Sequence, residues 1–180
     1  MRKIIRKLFW VWDFKKEEQW LNDLAAKGLN LVSVGFCRYE FEEGEPQNYT
    51  YRLELLEHHP NHPESQNYIR FIEDTGGEFI GSLMRWVYFR KKVSDGSFDL
   101  FSDIDSRITH LKRVLSLIWI VFFLEAYNMV YNAYLYFTFQ NTGNLTIFLL
   151  LLPFTAVVGW GLFVITRMKN ALKKERALHE

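Results

Sequence analysis

Two long runs without charge constrain this chain more than any other feature. Residues 114–137 contain no Lys, Arg, Asp or His and a single acid, Glu125; residues 145–166 contain no charged residue at all. A helix needs ~20 apolar residues to cross a hydrocarbon core about 30 Å thick, so both runs are long enough. They also exceed the ~8–20 residues of most globular helices, which argues against two core helices of a water-soluble fold. The segment between them, TFQNTGN, is polar, uncharged and rich in turn formers. The pattern predicts a transmembrane helical hairpin.

The flanks predict its orientation. Arg107, Lys112 and Arg113 precede the first run; Arg167, Lys169, Lys173, Lys174 and Arg176 follow the second, and the connection has no basic residue. Basic flanks stay on the cytoplasmic side, so the expectation is a cell-membrane protein with two spans and both termini in the cytoplasm. The basic tail suits anionic headgroups of membrane lipid. The start, MRKIIRKLFWVWDF, lacks a small-residue cleavage site and is not read as a signal peptide. The single cysteine, Cys37, excludes a disulfide scaffold and fits a reducing compartment.

Within the first span, Glu125, Asn128 and Asn132 fall on one helical face. An acid at such depth usually faces protein or a cavity. Three roles fit: a hydrogen bond within the hairpin or a dimer, contact with a partner membrane protein, or an ion-coupled site that would require oligomerisation. In the second span Thr155 and Gly159 form a small-xxx-small pair, and Pro153 is expected to kink the helix.

The first half alternates strand and helix signals. Residues 7–14, KLFWVWDF, read as an aromatic strand. Asp13 is a candidate N-cap for a helix carrying Trp20, Leu21, Leu24 and Ala25, closed by Gly28. Residues 29–41 read as a second strand and 49–55 as a third, with strict alternation. A helix is expected over 64–75 and a last strand over 78–90, with a break at Gly81–Ser82 as one option. The order β-α-β-β-α-β predicts an α+β, ferredoxin-like split sandwich. The expected organisation is a cytosolic domain over 1–93, a linker and juxtamembrane helix over 94–113, the hairpin over 114–166 and a basic tail over 167–180. Phe98, Leu100 and Phe101 give the linker a means of docking on the domain.

Both faces of the first and last strands are apolar or aromatic, whereas an open sheet face should be polar. Trp10, Trp12, Trp86 and Tyr88 therefore mark a candidate protein-interaction face. Its cover could be the linker, a second copy, a partner protein or a hydrophobic ligand. Nucleic acid is disfavoured, because residues 1–106 hold 14 basic and 18 acidic residues and no RNA-binding signature. His58, His59 and His62 with Glu57 and Glu64 suggest zinc ligands, but Pro60 and Pro63 interrupt the segment, and a solvated loop is the expected reading. Cys37 is expected to face the core or sheet. No phosphate loop, nucleophile elbow or His-Glu-x-x-His pattern is present. The expectation is a non-enzyme without cofactor, catalytic residue or metal.

The runs FWVWDFKKEEQWLNDLAAKGLNLVSVGFCRYEFEEGEP, YRLELL, HPESQNYIRFIEDTGGE and MRWVYFRKK followed by DGSFDLFSD occur in that order. Over about residues 5–112 the chain resembles a bacterial membrane family known as domain-of-unknown-function family 2812. The resemblance implies a link to regulation or envelope stress, because members often sit beside a PadR-type regulator in Firmicute genomes. It brings no activity and no catalytic residue. The combined expectation is a membrane-anchored module that binds a regulator, a transporter subunit or another copy. The alternative is an accessory subunit of a transporter or channel that uses Glu125, Asn128 and Asn132.

Overall fold

Alternation of Tyr49, Tyr51, Leu53 and Leu55 with polar neighbours produces the strand the sequence predicts, and helical spacing in PESQNYIRFIED produces the helix that follows it. In the computed structural model, which describes residues 2–101 and 103–179, these are β4 (Tyr49–Leu55) and α2 (Pro63–Asp74). Met1, Ser102 and Glu180 lie outside the described residues. The chain divides into two compact units, Met1–Ser106 and Arg107–Glu180.

The first unit is α+β, with six strands rather than four. Its order is β1 (Arg2–Arg6), α1 (Phe14–Ala25), β2 (Leu29–Gly35), β3 (Arg38–Glu43), β4, α2, β5 (Glu78–Leu83) and β6 (Trp86–Lys92). The strands form two antiparallel three-stranded sheets, ordered β1-β3-β2 and β4-β6-β5. Each half is thus one β-α-β-β unit with its third strand in the middle, a split β-α-β arrangement.

The halves match at a spacing of 48 residues. Gly28 and Gly76 end the two helices at φ 79° and 88°, a conformation glycine adopts without steric penalty. Leu31 pairs with Phe41 and Phe79 with Phe89, and a register shift follows each pair, before Ser33 and Gly81. The halves lie side by side through β2 and β5. Arg90 Nη1 donates to the Leu31 carbonyl at 3.2 Å, and Val34 lies against Gly81. The two strands therefore run in the same direction.

Three expectations are corrected. A single four-stranded ferredoxin-like sheet does not form, because the runs 29–41 and 78–90 each fold back at a two-residue turn, Phe36–Cys37 and Met84–Arg85. Residues 7–14 are not a strand. The strand lies earlier, at Arg2–Arg6, and Val11–Asp13 form a 3-10 turn leading into α1. Asp13 does not cap α1 with its side chain; it pairs with Lys16 at 2.7 Å. Cys37 lies in the β2–β3 turn, half-buried.

Helix α1 fastens the two halves together. Leu21 and Ala25 are fully buried among Leu31, Phe41, Tyr51 and Leu53. On the same helix, Asn22 Oδ1 accepts from the Tyr51 amide at 2.8 Å and its Nδ2 donates to the Tyr51 carbonyl at 3.2 Å. Glu18 Oε2 accepts from the Leu53 amide at 3.1 Å. Side chains of α1 thus satisfy the outer edge of β4, which would otherwise offer unpaired groups to another chain. After β6 the segment around Phe98 and Leu100 docks on a second core of Leu56, Ile69, Ile72, Val87 and Phe89.

The second unit is an antiparallel helix pair. Helix α3 (Ile104–Phe139) begins before the unit boundary, and α4 is Thr142–His179. The predicted seven-residue connection shortens to Gln140–Asn141, because Gln140 takes φ 51° and Asn141 Oδ1 accepts from the Gly143 amide at 2.8 Å. Gly159 lies opposite the Phe122 ring, and α4 continues through Pro153. Both helices are long and apolar enough to cross a membrane, and only 17% of each apolar stretch is buried. In water the exposed Trp119, Phe123, Leu124, Leu150 and Trp160 would form a prohibitive patch. The 36 residues of α3 extend about 54 Å, so its basic first turns project beyond a core about 30 Å thick.

The edge clasp yields a prediction. Asn22→Ala removes both bonds to Tyr51 and should destabilise the α+β unit by about 1–3 kcal/mol, measured as a lowered thermal midpoint of the full chain in detergent; an unchanged midpoint would show the clasp to be idle.

Candidate functional site

The centre of the α+β unit holds a carboxylate. Glu17 projects from the first turn of α1 and is only 7% exposed. Its Oε1 accepts hydrogen bonds from Tyr39 of β3 and Tyr88 of β6, each at 2.7 Å. One oxygen thus joins both sheets. Burial pushes the Glu17 carboxyl above its usual value, and the two tyrosine bonds offset only part of that. Burial and the neighbouring Glu17 also raise both phenols, which keeps them as donors. Glu54, likewise buried, accepts from Tyr68. These groups hold elements together and do not open onto solvent.

The accessible feature lies at one end of the unit. Because β2 and β5 run alongside in one direction, their turns to β3 and β6 project from the same end. Phe36 is 81% exposed and Met84 79%. Each turn holds a non-glycine residue in the left-handed region, Cys37 at φ 52° and Met84 at φ 56°, which costs roughly 1–2 kcal/mol per residue. The chain leaving β1 meets this end, since the Lys7 amide donates to the Cys37 carbonyl at 3.3 Å. It adds exposed Leu8, Trp10 and Val11. Lys7, Arg38 and Arg85 are next to these residues in the chain. Lys7 Nζ lies 4.7 Å from the Phe9 and Trp20 ring centres, Arg38 pairs with Glu40 and Arg85 donates to the Glu57 carbonyl, while Glu42 and Glu43 lie at the opposite end of β3.

The four aromatics read as one face do not form one. Trp10 and Trp12 stack at 5.2 Å with nearly parallel rings, ahead of α1 and not on a strand. Trp86 is half-buried, 5.5 Å from the Phe14 ring. Tyr88 is 2% exposed, and its hydroxyl is committed to Glu17. Phe36 and Met84 escaped notice because each looks like one more residue of an apolar strand. The available signal was a basic residue at each turn, Arg38 directly after Phe36–Cys37 and Arg85 within Met84–Arg85.

In the helix pair, Asn132 Nδ2 donates to the Asn128 carbonyl at 2.8 Å and Asn128 Nδ2 to the Leu124 carbonyl at 3.3 Å. Both amides are therefore bonded to their own helix. Glu125 differs, because its Oε2 is enclosed without a hydrogen-bond partner among the described residues.

The histidine loop is more ordered than its prolines suggest. Pro63 occupies the first turn of α2, where a missing amide hydrogen is harmless. His62 is the N-cap residue, and its Nδ1 accepts from the Glu64 amide at 3.3 Å. His58 Nε2 lies 3.3 Å from Glu64 Oε2.

A family model described as a protein of unknown function (DUF2812) matches residues 13–124. No curated protein and no solved structure matches the chain.

The buried carboxylate sets a pH dependence. With its folded-state value raised, Glu17 keeps its proton in the native state over a range where the unfolded chain releases it, so stability falls as pH rises above about 4.5. Glu18, also raised by burial, adds to the same slope. Glu17→Gln should flatten that slope, so the variant gains on wild type as pH increases in thermal melts from pH 4.5 to 8. Parallel melting curves across that range would refute the assignment.

Proposed function

Because the chain belongs to the DUF2812 family, whose description names no activity, we propose its role from its own geometry: a membrane-anchored binding module rather than an enzyme. The two membrane-length helices hold the α+β unit at a bilayer. The basic residues outside both apolar stretches favour a cytoplasmic position for that unit and for both termini. A protein partner, or a second copy of the chain, binds the apolar end formed by Phe36, Met84, Leu8, Trp10 and Val11.

The observation that carries this reading is the pair of strained hairpin turns that hold large apolar side chains in solvent. A left-handed residue is what a two-residue hairpin turn requires; what sets these two turns apart is that each holds a large apolar side chain, Phe36 or Met84, in solvent. An exposed apolar centre of this kind suits a partner surface that is itself apolar. Tethering raises the local concentration of any partner that also reaches the membrane, which fits a regulator held at the membrane or a subunit of a membrane assembly.

A photo-crosslinking residue at position 36 or 84, in native membranes, tests the reading. A discrete protein adduct is expected, absent when the crosslinker replaces exposed Asn67 on α2, and reduced at least several-fold by Phe36→Ser with Met84→Ser. Adducts no stronger than the Asn67 control, or adducts to lipid alone, would overturn it. An adduct lost in Glu125→Gln but retained in the double variant would move the contact to the helix pair.

A further inference from the structure

We propose that His58, His62 and Glu64 form a binding site for a divalent first-row transition ion, with a donor set that fits zinc. One ligand atom from each residue lies within 4.8 Å of the other two. In a tetrahedral zinc site with bonds of about 2.0–2.2 Å, neighbouring donors are about 3.3–3.6 Å apart. The imidazole–carboxylate pair already has that separation, 3.3 Å between His58 Nε2 and Glu64 Oε2. The rings of His58 and His62 stack with centroids 4.3 Å apart; because an imidazole ligates in its own plane, binding one ion through both requires His62 to turn out of this stack. Two neutral imidazoles and one carboxylate leave the fourth position to water.

Backbone geometry prepares this arrangement. The Leu56 amide donates to the Arg85 carbonyl, and Arg85 Nη1 donates to the Glu57 carbonyl, each at 2.9 Å, which pins the start of the loop to the β5–β6 turn. Ser65 Oγ donates to the His58 carbonyl at 3.3 Å and Gln66 Nε2 to the Pro60 carbonyl at 2.7 Å, which pins the rest to α2. The His62 amide donates to the His59 carbonyl at 2.8 Å, a tight turn that carries His62 back towards His58. The prolines that argue against a site in the sequence thus shape its frame.

Two details define the chemistry. His62 Nδ1 accepts the Glu64 amide. A metal on Nδ1 displaces that bond, and a metal on Nε2 moves the ring proton to Nδ1, so ligation by either nitrogen exchanges the cap for a metal bond. The positive end of α2 opposes a nearby cation, and the Glu64 charge offsets it. His59 Nδ1 accepts instead from the Asn61 amide at 3.3 Å, outside the ligand cluster, which makes His59 the internal control. The ligand residues of this site are distinct from the hairpin-turn residues of the proposed partner-binding end, although Arg85 links the two segments.

The test is zinc titration, by calorimetry, of the full chain in detergent, purified without a polyhistidine tag. One equivalent should bind. His58→Ala and Glu64→Gln should each weaken binding by about tenfold or more, and His59→Ala should leave it unchanged. No stoichiometric zinc, or equal weakening by His59→Ala and His58→Ala, would overturn the site. If His58→Ala lowers the melting point without metal, cobalt spectra of the unaltered chain decide. An intense four-coordinate absorption supports the site, and the weak six-coordinate pattern removes it.

Discussion

A single carboxylate oxygen holds the α+β unit together. Glu17 Oε1 receives one phenol from each three-stranded sheet, so a carboxylate on the helix of the first half is shared by both β-α-β-β halves. A buried carboxylate without such donors would be strongly unfavourable. With them it fixes the relative position of α1, β3 and β6. The Asn22 and Glu18 bonds to β4 then follow on the same helix. This placement aligns β2 with β5 and brings the two hairpin turns to one end. The apolar end is in this sense a consequence of the buried polar centre.

Local patterns were legible and the polar centre was not. Strand β4 and helix α2 fall where alternation and helical spacing put them, because each signal is contained in a few neighbouring residues. Both glycine helix ends were legible for the same reason. The strand breaks at Phe36–Cys37 and Met84–Arg85 were marked only indirectly, by Gly35 and Gly81 ahead of them, because the turn positions themselves hold no Gly, Asn or Pro. The aromatic run 7–14 alternates like a strand, yet its rings pack around the start of α1, as Phe9 against Trp20 and Phe14 against Trp86 show. Glu17 sits in a KKEE run that reads as a solvated helix face. Only the meeting of two distant tyrosines reveals its role.

The candidate site was half legible for a related reason. Trp10 is at the exposed end, and Tyr88 is in the interior, because the sequence identifies aromatic residues but not which sheet face the other half covers. The repeat at 48 residues preserves backbone devices, such as the glycine helix ends, the register shifts and the turns, while side chains differ between halves. The two turns keep exposure and apolar character in common, Phe36 and Met84, although their residues differ. Physical role is shared here at positions where identity is not.

The arrangement gains its meaning from the bilayer, since two long apolar helices on a freely diffusing chain would be an aggregation hazard. Washing native membranes with alkaline carbonate tests this most directly. The chain should stay entirely in the membrane pellet and enter solution only with detergent. Recovery of the intact polypeptide as a monodisperse species in the aqueous wash would contradict the account at its base.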